Sequence, residues 1–253
     1  FEATARELER IVAFSGEQES IRFCVFKMTG IARFGLLEKL AAGSELKASE
    51  REEWQRVKQR VERLCELAVQ HEVSLMFDAE ESWIQQPIDD LYMELALAYN
   101  SVRPVLYNTV QLYRHDRLHY LKASHEHAKK QGIKFGVKLV RGAYMEKERD
   151  RADELGYESP IHSDKKATDQ DFNLALEYVV KHLDDFGLCC GSHNEESNLL
   201  LIHLLQDKQI DPSDPRIEFS QLYGMSDHLS YNLVHHGYNV SKYLPYGPVE
   251  AVM

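Results

Sequence analysis

The 253-residue sequence lacks several features that would assign it to a common class of protein. Its net charge is -11, whereas surfaces that bind nucleic acid are rich in cations. No apolar run approaches the roughly 20 residues of a membrane span. Its four cysteines form no Cys-x-x-Cys pair and lie in apolar stretches. They are Cys24, Cys65, Cys189 and Cys190. This pattern predicts buried thiols in a reducing compartment rather than disulfides or zinc ligands.

Familiar catalytic motifs are also missing. The sequence has no Gly-x-Gly-x-x-Gly dinucleotide turn, no P-loop and no Gly-x-Ser-x-Gly elbow. His115 and His119 are four residues apart, but Asp-Arg-Leu between them lacks the glutamate of a zinc-protease helix. None of the twelve histidines has zinc-ligand spacing, so no metal site is predicted.

What the sequence does contain is an alternation of short apolar segments with amphipathic helical segments. The strand candidates are Ile21–Met28, Val73–Asp78, Val105–Gln111, Phe135–Val140, Leu188–Ser192, Ile217–Leu222 and Val240–Leu244. This order predicts a parallel sheet with crossover helices. Seven such units predict a (β/α)8 TIM-like barrel truncated at both ends, with one strand lost before Phe1. The alternative is a doubly wound open sheet, which usually carries the Gly-rich turn that is absent here.

Several helix boundaries can also be predicted. Thr168 with Asp171 reads as a capping box, and Pro87 is typical of a helix start. Asn194 also fits a helix start, and Gly43, Gly132, Gly187 and Gly237 fall where helices are expected to end. The highly charged helix from Glu146 to Glu154 predicts a solvated outer face.

Polar residues lie at or next to the carboxyl ends of the strand candidates, and in a barrel the carboxyl ends of the strands form one rim that holds the active site. These residues are Lys27, Asp78, Gln111, Lys138, Arg141, His193, Asn194, Gln221 and Tyr243. Together they predict a site for an anionic ligand. Each residue taken alone has another explanation: Asp78 as a helix cap, Lys27 as a strand-end lysine and His193 as a loop histidine.

The segment from Phe135 to Tyr144 carries the most specific signal. Strand alternation places Lys138 and Val140 on one face, and Arg141 enters a turn in which Gly142 and Ala143 leave the backbone bare. Small residues before a helix allow amide groups to approach a phosphate, and an arginine adds a charge-assisted hydrogen bond. An ordinary strand-to-helix turn is the alternative.

Six segments, in this order, resemble the proline dehydrogenase family. They are Phe77 to Glu81, Tyr107 to Gln111, Lys138 to Tyr144, Ser192 to Asn194, Glu218 to Met225 and Tyr243 to Gly247. The resemblance extends from about Ile21 to Met253. It implies a (β/α)8 barrel that holds FAD without a Rossmann fold and oxidises L-proline to Δ1-pyrroline-5-carboxylate by hydride transfer to the flavin N5, with electrons passed on to a quinone.

The resemblance also implies roles for individual residues. Asp78 and Lys138 are expected to be catalytic, with Lys138 near the flavin N5 and Asp78 paired with Lys27 rather than acting as a general base. The expected substrate contacts are Lys27, Asp78, Tyr144, Leu222 and Tyr243. The expected FAD contacts are Ala79, Gln111, Lys138, Arg141, Gly142, Ala143, Ser192 and His193.

Residues 1–253 are expected to form a single catalytic barrel that lacks the first strand and the C-terminal helix. In the family, that helix carries an Arg-Arg pair that binds the substrate carboxylate. A quinone acceptor implies peripheral membrane association, at the inner face of the membrane from the cytoplasm in a bacterium or at the mitochondrial inner membrane in a eukaryote. The alternatives are a hydroxyproline dehydrogenase, a different FAD-binding barrel reductase, and a flavin-binding truncated barrel with weak activity.

Overall fold

The computed structural model describes residues 1–245. Within these residues seven strands alternate with nine α-helices. The strands are β1 (Phe23–Phe26), β2 (Ser74–Phe77), β3 (Leu106–Gln111), β4 (Phe135–Val140), β5 (Phe186–Gly191), β6 (Ile217–Leu222) and β7 (Val240–Tyr243). The helices are α1 (Glu2–Gly16), α2 (Phe34–Ala41), α3 (Ala48–Gln70), α4 (Ser82–Tyr99), α5 (Arg117–Lys130), α6 (Met145–Leu155), α7 (Lys165–Lys181), α8 (Glu195–Asp207) and α9 (Asp227–His235).

The strands form one parallel sheet in chain order, β1 to β7. The sheet curls, so that the strands near its two edges approach each other. At the amino ends of the strands, Arg22 before β1 donates from NH1 to Glu218 Oε2 on β6 at 2.6 Å. At the carboxyl ends, Tyr243 on β7 contacts Asp78 after β2. The sheet is a curled half-barrel, and the predicted TIM-like fold is confirmed.

Strand alternation separates two cores. Helix-facing residues such as Phe77, Phe135 and Phe219 belong to the large cluster that packs under the helices. A smaller cluster of Met76, Tyr107 and Cys189, with Phe23 and Val25 against it, lies on the other face and fills the barrel interior. All four cysteines are buried, as predicted. No helix in the described 245 residues is long and apolar enough to cross a bilayer.

Three of the predicted helix boundaries, at Gly187, Thr168 and Pro87, are wrong. Gly187 lies in β5 rather than at a helix end. The residue is glycine because a Cβ at this position would lie only 2.4 Å from the Tyr107 hydroxyl. Thr168 lies in the first turn of α7, whose N-cap is Asp164. The Asp164 side chain accepts a hydrogen bond from Ala167 N at 2.8 Å.

Helix α4 begins at Ser82, five residues before the predicted start at Pro87. The reason lies in α6, where Glu148 is fully buried and not part of a solvated face. Its Oε1 accepts from Ser82 N and its Oε2 from Ser82 Oγ, both at 2.6 Å. A carboxylate from another helix therefore caps the first turn of α4.

Candidate active site at the barrel rim

Asp78 is the centre of the predicted site. Its Oδ1 binds the ammonium group of Lys138, a side chain that β4 directs into the barrel. Its Oδ2 accepts a hydrogen bond of 3.1 Å from Tyr243 OH and lies 3.5 Å from Lys27 Nζ. Side chains from β4, from β7 and from the residue after β1 therefore meet at the one carboxylate that follows β2, as the sequence predicted.

Two aromatic rings complete this cluster. Lys27 Nζ donates to Tyr144 OH at 2.9 Å and lies 5.5 Å from the centre of that ring. Lys138 Nζ lies 5.2 Å from the centre of the Tyr243 ring. Each lysine thus lies between the Asp78 carboxylate and a phenol ring, and for Lys27 this setting favours the charged form.

The charges in the cluster follow from these contacts. Burial opposes ionisation of Asp78, but the charges of Lys138 and Lys27 hold its pKa below the usual value. Burial opposes the charge on Lys27, but Asp78 and Tyr144 raise its pKa. Burial and the neighbouring Asp78 raise the pKa of Tyr243. Near neutral pH these shifts leave Asp78 as a carboxylate, Lys27 as an ammonium group and Tyr243 as a neutral phenol.

Gln111 and Ala79 lie buried beside this cluster. Gln111 Nε2 donates to the Glu80 carbonyl at 2.8 Å, and Glu80 N donates to Gln85 Oε1 at 2.8 Å. A carbonyl can only accept, so this contact fixes which end of the Gln111 amide faces the loop after β2. The loop that carries Asp78 is thus held rigidly against the end of β3.

Arg141 lies at the end of β4 and is held by three side chains. Its Nε donates to Asp169 at 2.7 Å, and its NH1 and NH2 donate to Ser192 and Ser197 at 2.9 Å each. The guanidinium also lies 4.4 Å from the centre of the Phe172 ring. Ser192 and Arg141 were both predicted to contact the cofactor, and the structure brings them into direct contact.

A cleft of about 730 Å³ opens beside Arg141, Gly142 and Ala143. Gly142 has a φ of 139°, and a Cβ on it would lie 2.5 Å from the Tyr113 ring, so this position requires glycine. The cleft is lined by four cations, Arg141, Lys147, Arg149 and Lys165, and by two acids, Glu146 and Asp164. Bare backbone and an excess of cations fit a pyrophosphate group.

His193 and Leu222 occupy the outer part of the rim. Leu222 N donates to His193 Nε2 at 3.4 Å, so the imidazole Nδ1 carries the proton that it shares with Ser226 Oγ at 2.9 Å. Burial and the charge of Lys242 lower the pKa of His193, which favours a neutral ring. Both hydrogen bonds of His193 join it to the β6–α9 connection, and Leu222 is 42% exposed.

Sequence reasoning missed two buried carboxylates beside the site. Glu80 accepts from Thr29 N at 2.9 Å and also from the Thr29 hydroxyl, which ties the loop after β2 to the turn after β1. Glu148 binds Ser82, as described above. The one signal for Glu148 was Ala152, four residues later on the same face of an otherwise charged helix. Tyr246 and Gly247, part of the last resembling segment, lie outside the described residues.

The chain is similar to a protein family model, to proteins of known name and to solved structures. The family model described as proline dehydrogenase matches residues 1–253. Proline dehydrogenase 1, mitochondrial, of Homo sapiens is 38% identical over 227 residues, which cover 88% of this chain and 37% of that protein. The protein of that name from Dictyostelium discoideum is 38% identical over 200 residues, which cover 77% of this chain and 35% of that protein. The chain thus spans little more than a third of these relatives.

Among solved structures, the chain is similar to proline utilization A of Bdellovibrio bacteriovorus, crystallised after inactivation by N-propargylglycine. The TM-score is 0.85 at 20% sequence identity, over 98% of this chain and 26% of that one. At this identity the likeness concerns the fold, and it agrees with the curled parallel sheet described above.

Proposed function

Since this chain belongs to the proline dehydrogenase family, we propose that it oxidises L-proline to Δ1-pyrroline-5-carboxylate with FAD as its cofactor. The observation that carries the proposal is the Asp78 cluster, in which a carboxylate, two lysines and two phenols from separate strands and loops meet at the rim. We also propose that residues 1–253 act as one catalytic barrel.

In this proposal the Asp78 cluster binds the amino acid. Lys27 and Asp78 provide opposite charges for a zwitterionic substrate, while Tyr144, Leu222 and Tyr243 form the walls around its ring. None of Asp78, Lys27 and Tyr243 changes charge near neutral pH, because the pKa of the acid is lowered and those of the other two are raised. Proline binding should therefore improve with rising pH only as the substrate amine loses its proton.

The cofactor residues divide between two places. We assign the pyrophosphate of FAD to Arg141, Gly142 and Ala143, with Ser192 and His193 beside it. We assign the isoalloxazine ring to Ala79, Gln111 and Lys138. Bound FAD would supply the acceptor, at N5, for the hydride that leaves the substrate carbon. Lys138, which Asp78 holds in place, would stabilise the negative charge that develops on the flavin as it accepts the hydride.

The electron acceptor and the location complete the proposal. We propose that the electrons pass to a quinone at a membrane surface. In a eukaryotic host we place the protein in mitochondria, because the relatives from Homo sapiens and Dictyostelium discoideum are named as mitochondrial proteins. In a bacterial host the same chemistry would take place in the cytoplasm, at the inner face of the membrane.

A spectroscopic titration tests the proposal. The purified protein, reconstituted with FAD, is mixed with L-proline without oxygen, and the flavin band near 450 nm is followed. Bleaching by L-proline supports the proposal. Faster bleaching by hydroxyproline would make that compound the substrate, and bleaching by NADH alone would indicate a different flavin reductase. A yellow protein that neither proline compound bleaches would indicate a flavin-binding barrel without this activity.

The variant Asp78→Ala tests the placement of the substrate. It removes the shared partner of Lys27, Lys138 and Tyr243, so proline turnover should fall by about 100-fold or more while FAD is retained. Asp211→Ala, at an exposed loop carboxylate, is the control and should leave both unchanged. Equal loss of turnover and FAD in Asp78→Ala would show that Asp78 belongs to the cofactor site.

A further inference from the structure

We propose that Glu148 is a positioning residue that fixes the distance between the two loops that form the substrate site. The inference rests on the proposed function, which places Asp78 and Tyr144 around the substrate. These residues lie in the β2–α4 loop (residues 78–81) and the β4–α6 loop (residues 141–144). Glu148 joins the helices that follow these two loops.

The contacts of Glu148 are specific and buried. Its carboxylate binds both the backbone N–H and the hydroxyl of Ser82, the first residue of α4, at 2.6 Å. Glu81, the N-cap of α4, makes no capping hydrogen bond with its own side chain. The β2–α4 loop therefore ends at a residue whose position is set by α6. Glu148 is not exposed, so water does not compete for these bonds.

The other end of the connection is equally direct. Tyr144 is the N-cap of α6, and Glu148 N donates to its carbonyl at 2.9 Å in the first turn of the helix. The Tyr144 hydroxyl accepts from Lys27, whose ammonium group lies 3.5 Å from Asp78. A closed circuit thus runs from Asp78 along its loop to Ser82, across to Glu148, back to Tyr144, and through Lys27 to Asp78.

Neighbouring contacts between α6 and α4 do not duplicate this one. Lys147 Nζ lies 3.2 Å from Glu81, but the lysine side chain is 67% exposed, and such surface pairs contribute little. The Arg151 guanidinium stacks at 4.6 Å from the Trp83 ring centre, one turn further from Tyr144. Glu148 is the buried hydrogen-bonded contact nearest to both loops.

Three substitutions separate geometry from charge. Glu148→Ala removes both bonds, and we expect KM for L-proline to rise about tenfold with kcat within about twofold. Glu148→Gln can still accept from Ser82 N–H and donate to the Ser82 hydroxyl, so it should restore KM to within about twofold of the parent. Glu148→Asp keeps the charge but is one methylene shorter, so it should resemble Glu148→Ala. Restoration by Asp and not by Gln would overturn the proposal in favour of a charge effect.

Glu50→Ala is the matched control. Glu50 also caps a helix start, that of α3, where its Oε2 accepts from Lys47 N at 2.9 Å, and it is nearly buried. It lies in the outer helical layer, so its loss should lower Tm without changing KM. If Glu148→Ala likewise lowers Tm and leaves KM per flavin-loaded molecule unchanged, Glu148 is only structural and the proposal fails.

Hydrogen exchange gives a readout that needs neither substrate nor turnover. In the apo-protein, Glu148→Ala should speed amide exchange in segments 78–84 and 141–148 together, whereas Glu50→Ala should speed neither. If the parent protein fails to oxidise proline, the proposed function fails, and this measurement still decides whether Glu148 couples the two loops. Unchanged exchange in either segment would refute the coupling.

Discussion

Replacing Gly142 with alanine tests whether the β4–α6 loop holds the cofactor. At a φ of 139°, an L-residue is strained, and the added Cβ would lie 2.5 Å from three atoms of the Tyr113 ring. Tyr113 is only 4% exposed, so its ring has little room to move. The loop of the variant must therefore leave its native path.

The magnitude follows from this strain. A residue held in such a region costs on the order of 1–3 kcal/mol. The free variant can relax by moving the loop, but bound FAD would require the native path again, so the cost appears as lost affinity. Since about 1.4 kcal/mol corresponds to a tenfold change in Kd, FAD should bind about 5-fold to 150-fold more weakly.

The assay is a titration of the apo-protein with FAD, followed by flavin fluorescence, with Tm measured alongside. Gly156→Ala is the control. Gly156 lies at the end of α6, the helix that follows the Gly142 loop, and has a φ of 70°, but an added Cβ there would have no atom within 4 Å. The control should lose about 1 kcal/mol of stability and keep its affinity for FAD. A folded Gly142→Ala protein that binds FAD as tightly as the parent would refute the assignment of this loop to the cofactor.

Two further predictions concern stability. Burial raises the pKa of Glu218 to about 7 against the opposing charge of Arg22, so the native carboxyl keeps its proton where the unfolded one has lost it. The free energy of unfolding should therefore fall by up to about 3 kcal/mol as pH rises from about 4.5 to 7. Urea unfolding at several pH values should show this fall in the parent protein and not in Glu218→Gln. If the variant shows the same dependence on pH as the parent, Glu218 is not its source. Asp89→Asn leaves Arg117, which is 5% exposed and 2.8 Å from Asp89, without its counter-charge. It should cost about 3–5 kcal/mol in urea unfolding, and a loss below about 1 kcal/mol would contradict this.

The sheet could be predicted because each strand rests on local sequence, and the Asp78 cluster could be predicted because the barrel topology brings the strand ends together. Every predicted strand is present, although β1 is Phe23–Phe26 rather than Ile21–Met28. In a parallel barrel all the strands end at one rim, so the polar residues after them are brought together by topology alone. The contact of Asp78 with Lys27, Lys138 and Tyr243 follows from that rule.

The errors arose where a distant residue changed a local preference. Pro87 is a frequent first residue of helices, but Glu148 stabilises an earlier start for α4. Glycine is frequent at helix ends, but Gly187 lies in β5, where the absence of a side chain leaves room for Tyr107. The spacing of charges in α6 could not show that Glu148 faces a neighbouring helix, because a carboxylate alone favours solvent.

The chain-order winding of the sheet also decides when the Asp78 cluster is assembled during synthesis. Tyr243 and Asp78 are 165 positions apart, and Arg22 and Glu218 are 196 apart. Contacts this remote form late and slow the approach to the native state. A nascent polypeptide whose β7 is still inside the ribosome can already pair Asp78 with both lysines, but it acquires the Tyr243 phenol only after β7 has emerged.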